Sequence, residues 1–72
     1  MELIKSVEVT DFEKAILTAR FIRIRHTPTI TVGDGRTTIE FDADLESDVR
    51  LRQLIAELIG KGWRVANELH TS

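Results

Sequence analysis

Residues 29–41, TITVGDGRTTIEF, decide the architecture, because their two glycines admit two readings with opposite consequences. A glycine-rich stretch can cradle a phosphate when its amides converge on the N-terminus of a following helix. Here the glycines lead instead into TTIEF, a second run rich in β-branched residues, so the segment reads as a hairpin. With Asp34 and Gly35 as a two-residue type I′ turn, Val32 falls opposite Thr37, Thr31 opposite Thr38, Ile30 opposite Ile39 and Thr29 opposite Glu40. Each pair then keeps both of its side chains on one face.

Upstream of the hairpin, LIKSVEV (residues 3–9) alternates so that Leu3, Val7 and Val9 share a core face and Ile4, Ser6 and Glu8 the other. TDFE follows with the spacing of a capping box, in which the Thr10 hydroxyl serves the Glu13 amide and the Glu13 carboxylate returns to the Thr10 amide. The helix begun there carries Phe12, Ala15, Ile16, Ala19 and Ile22 at helical spacing, yet FIRIR (residues 21–25) alternates like a strand. A helix running to His26 is the expectation, because a strand leaving for a non-adjacent neighbour needs a crossover of about a dozen residues. Pro28 stops either structure.

Downstream, DADLESDVRLRQLIAELIGKG (residues 42–62) reads as a second helix with Asp44 as its N-cap. Leu51, Leu54, Ile55, Leu58 and Ile59 share one arc, while Arg50, Arg52, Gln53 and Glu57 lie outside it. Glu46 and Asp48 complement the positive end of the helix dipole, and Gly60 or Gly62 suits the left-handed position after the last turn. WRVAN then resumes as a strand with Trp63 and Val65 facing the core.

The expected fold is therefore α+β: one small domain, residues 1–72, of order βαββαβ. This is the ferredoxin-like arrangement, a four-stranded antiparallel sheet with two helices on one face. Fold alone names no activity. Heavy-metal-associated domains, which the chain resembles in length, carry CxxC after the first strand, where TDFEKA stands here in a chain without cysteine. RNA-recognition motifs stack bases on aromatic residues of the two central strands, and that face would present Ile4, Ser6 and Glu8 beside Thr38 and Glu40. Acylphosphatases use an Arg in the first loop and an Asn on a central strand; the loop lacks Arg, and Asn67 is on the last strand.

Composition narrows the classes further. Seventy-two residues leave room for one modest core and no large cleft. A formal net charge of −2 withholds the positive field that accompanies non-specific nucleic-acid binding. MELIKSVEV has neither the basic nor the apolar region of a signal peptide, and no apolar run reaches membrane-spanning length, so a soluble, cytoplasmic chain is the default expectation. DADLESD begins like a calcium loop with Asp42, Asp44 and Glu46 at alternate positions, but Ser47 replaces the turn glycine and Gln53 the bidentate glutamate. His26 and His70 lack metal-ligand spacing. No catalytic residue, metal ligand or cofactor site is expected.

Two surface features remain. Leu17, Phe21 and Ile24 form a second apolar stripe on the first helix, opposite Phe12, Ile16 and Ala19, and are the expected partner surface for a homodimer. Arg20, Arg23 and Arg25, joined by Lys61 or Arg64, form the expected anion patch, although cations near a helix C-terminus are favoured by its dipole without any ligand. The expected function is a non-enzymatic scaffold or interaction module. A de novo designed protein without natural function is one form of that expectation, since matched elements, caps and turns also mark designed chains. The alternative is a weak anion- or nucleic-acid-binding module built on Arg20, Arg23 and Arg25.

Overall fold

The computed structural model describes residues 1–42 and 46–66. Its elements run β1 (Glu2–Lys5), α1 (Asp11–Arg23), β2 (Thr29–Gly33), β3 (Arg36–Glu40), α2 (Val49–Gly60) and β4 (Arg64–Val65). The four strands form one antiparallel sheet of order β2-β3-β1-β4, the ferredoxin-like arrangement. Leu3 pairs with Ile39 on one sheet face, and both belong to a single buried cluster with Leu17 and Phe21 of α1 and Leu51, Leu54, Ile55 and Leu58 of α2. Both helices therefore cover the same face.

The hairpin has the register read from its sequence: all four expected pairs are present, closed by Gly33 opposite Arg36. Asp34 and Gly35 both take positive φ, 56° and 78°, as a type I′ turn demands. The Gly35 amide donates to the Glu8 carboxylate at 2.8 Å, so the turn's outward amide is already matched by an anion of the chain itself.

β1 is shorter than its alternation suggested. It ends at Lys5, and Val7, expected in the core, is 45% exposed. The cause is Thr37, the one buried polar residue in the described structure. Its hydroxyl donates to the Val7 carbonyl at 2.8 Å and accepts from the Val9 amide at 3.0 Å, turning residues 6–9 out of the strand and toward α1. Val9 remains buried.

α1 opens with the expected capping box, the Glu13 amide donating to the Thr10 hydroxyl at 3.1 Å and the Thr10 amide to the Glu13 carboxylate at 3.2 Å. Residues 21–23 are helix, and the helix stops three residues short of His26. Arg25 takes φ 68°, its amide bonds the Ile22 carbonyl, and the His26 amide bonds the Phe21 carbonyl. These two bonds are the Schellman ending of a helix, with arginine in the left-handed position that glycine usually fills.

α2 begins at Val49 rather than residue 42. Asp48 caps it, accepting from the Leu51 amide at 2.9 Å, three residues ahead of the first core position. Asp44, the expected cap, lies outside the described residues, as do Asn67 and His70. The helix ends as α1 does: Gly62, with φ 103°, bonds the Ile59 carbonyl and the Trp63 amide bonds that of Leu58. Trp63 is buried as expected, while Ile59, counted in the core arc, is 47% exposed.

Candidate functional site

α1 carries apolar residues on two opposite sides, and the structure reverses their expected roles. Leu17 and Phe21, expected to line a partner surface, are buried at 9% and 0% exposure, and Ile24 packs against the same cluster. Phe21 meets Phe41 with ring centroids 4.8 Å apart at a tilt of 49°. A Schellman ending commonly accompanies burial of the residue three positions inside the helix end. In α1 that residue is Phe21; in α2 it is Leu58, also buried.

The side left to solvent is the other one. Phe12 is 75% exposed, Ile22 57% and Ile16 44%, with Ala15 and Ala19 exposed between them. On a helix turning about 100° per residue these five positions occupy one arc along nearly the full length of α1. The sequence displayed this stripe, but assigned it to the core. The signal that would have inverted the assignment is a left-handed residue at position 25, and arginine does not announce one.

Of the three arginines, Arg20 and Arg23 line one groove between the helices together with Arg50, and Arg25 does not. Arg20 reaches across to α2 and grips both carboxylate oxygens of Glu57, one at 2.8 Å, while Lys61 approaches the same carboxylate at 3.3 Å. Held by the Arg20 hydrogen bonds first, Glu57 is pushed down to about 2. Arg23 shares an open groove of about 530 Å³ with Arg50 and Gln53 between the two helices, but Glu57 sits in that groove too. Arg25 belongs to the exposed loop after the helix and does not line the groove, and Lys61 and Arg64 contribute nothing to it.

His26 is only partly exposed, and its Nε2 lies 2.7 Å from the Asp48 carboxylate that caps α2. That contact lowers the Asp48 carboxyl below its ordinary range, helped by the Leu51 amide. It ties the end of α1 to the start of α2. On the open sheet face, Glu2 stands directly opposite Glu40 and Ile4 opposite Thr38, a surface without a stacking aromatic among the described residues. No group of three His, Asp or Glu side chains that could hold a metal occurs among the described residues, and no described helix is long and apolar enough to cross a membrane.

Fold and surface together define a small ferredoxin-like α+β domain with one apolar helix face turned to solvent. No protein-family model matches the chain, and comparison with curated proteins and with solved structures returned no similar protein.

Proposed function

We propose that this chain is a non-enzymatic interaction module that docks through the outer face of α1. The observation that carries the reading is the exposure of Phe12, Ile16 and Ile22 along one side of a capped, well-packed helix. Single exposed apolar residues are ordinary, but a line of three with alanines between them is a contiguous patch, the kind that marks a docking surface. Covering a large apolar side chain is worth roughly 1.5–3 kcal/mol, so a partner that seats this stripe has a real driving force. The titratable side chains that meet one another, His26 with Asp48 and Arg20 with Glu57, are engaged in fastening helix to helix, which supports a structural rather than catalytic use.

Anion binding has weaker support, since Arg20 is committed to Glu57, whose carboxylate lines the groove that Arg23 and Arg50 share, and Arg25 is not part of that groove. The test is a panel of labelled amphipathic helical peptides with varied flanking charges, titrated with the protein by fluorescence anisotropy. At least one should bind the native chain and fail to bind Phe12→Glu, with the circular dichroism of the variant unchanged. No peptide binding, in a chain that also stays monomeric at millimolar concentration, overturns the reading.

A further inference from the structure

We infer that the occupant of this face is a second copy of the same chain, its α1 lying antiparallel across a two-fold axis. The inference rests on the docking role of the outer face of α1 and goes on to name the partner. Phe12, Ile16, Ala19 and Arg23 fall at 4-3-4 spacing, the seam a second helix would follow. Placing the axis between Ile16 and Ala19 sets each Ile16 against the other copy's Ala19, and each Phe12 beside the other copy's Arg23. Large meets small, which lets two helices approach to about 8–10 Å. A guanidinium meets an aromatic face, a favourable pairing of cation and ring.

Charge selects the same orientation. The first turn of α1 is acidic through Asp11 and Glu13 and the last is basic through Arg20 and Arg23. Glu13 and Arg20 are engaged within the chain, whereas Asp11 and Arg23 make no ion pair among the described residues. An antiparallel pair brings each free acid toward the other copy's free base. A parallel pair would stack Phe12 on Phe12, Ile16 on Ile16 and like charge on like charge. The interface is then isologous, as two-fold dimers require.

One face of a 13-residue helix is shorter than the contact that supplies the roughly 800 Å² per partner of a standard interface, so the dimer is a weak, reversible one.

Sedimentation equilibrium from micromolar to millimolar concentration reads it directly. The native chain should pass reversibly from monomer to dimer, and Ile16→Glu should remain a folded monomer. Asp11→Arg and Arg23→Asp should each self-associate more weakly, by roughly tenfold, because each sets like charge against like charge between the copies. Mixed in equal amounts, those two variants should pair with each other more tightly than either pairs with itself. A native chain that is monomeric at millimolar concentration while a helical peptide still binds its α1 face overturns the self-pairing and leaves the module reading standing. Absence of both events overturns both. A dimer whose charge variants gain nothing on mixing overturns the antiparallel arrangement.

Discussion

α1 and α2 are nearly equal in length, cross the same sheet face, open on a side-chain cap and close on the same Schellman ending. They divide their apolar residues differently. α2 concentrates Leu51, Leu54, Ile55 and Leu58 on one buried arc and, of its large apolar residues, leaves Val49 and Ile59 exposed. α1 buries Leu17 and Phe21 and leaves a longer stripe, Phe12, Ile16 and Ile22, in solvent. A helix with one stripe has one way to meet a core. A helix with two is oriented by whatever fixes its ends, and the stripe not chosen is available to something else.

The sharpest way to break that contrast is to place a charge on each side of α1. Phe21→Glu buries a carboxylate beside Phe41 with no partner and should unfold the chain, whereas Phe12→Glu should leave its circular dichroism and urea midpoint nearly unchanged. An unfolded Phe12→Glu chain would place that face in the core after all. Truncations grade the same contrast. Phe21→Ala should cost about 3–5 kcal/mol and Leu58→Ala about 2–5 kcal/mol in urea denaturation. Phe12→Ala, at 75% exposure on the outer side, should stay within about 0.5 kcal/mol of the native chain.

The sequence made some of this legible and hid the rest for physical reasons. Element order, hairpin register and the Thr10 capping box follow from local chemistry that acts within a few residues, and all are present. The α2 arc was legible because a single stripe at helical spacing leaves no choice of side. Its start was not, since an acidic run from Asp42 to Asp48 offers several caps and only the position of the core arc makes Asp48 the one used. The facing of α1 was illegible because two apolar stripes at helical spacing offer the core equal choices, and the left-handed Arg25 that closes the helix goes against arginine's intrinsic preference. The outward turn at Val7 depends on Thr37, thirty positions away in sequence, so no local pattern announces it.

The two helix endings fill the left-handed position with different residues, Arg25 in α1 and Gly62 in α2, and exchanging that difference should move stability in opposite directions. Gly62→Ala should cost about 1–2 kcal/mol, through backbone strain rather than crowding, since the nearest side-chain atom to an added Cβ is Lys5 Cε at 3.6 Å. Arg25→Gly removes the same kind of strain from α1 and should gain about 0.5–1 kcal/mol, net of the greater freedom glycine has when unfolded. Thermal denaturation of both variants reads this. A destabilised Arg25→Gly chain would mean that the arginine side chain contributes more there than its backbone strain removes.

The smallest effect is expected where the two helices are fastened by charge. Glu57 on α2 titrates at about 2, below its ordinary 4.5, because Arg20 on α1 donates to both its oxygens. A carboxyl lowered by folding takes its proton first in the unfolded chain. The pair's contribution is therefore complete above about pH 4.5 and fades as pH falls toward about 2. Asp48, lowered by His26 from its ordinary 3.8, acts in the same direction. Glu57→Gln should accordingly flatten the acid limb of the stability profile between those two limits and converge with the native chain below them. At neutral pH the loss should be slight and shrink further with added salt, because both side chains are 39% exposed and an ion pair in contact with water is screened. An acid limb unchanged by Glu57→Gln would show that the clasp between the helices holds nothing, and that α1 keeps its facing through Leu17, Phe21 and the Arg25 turn alone.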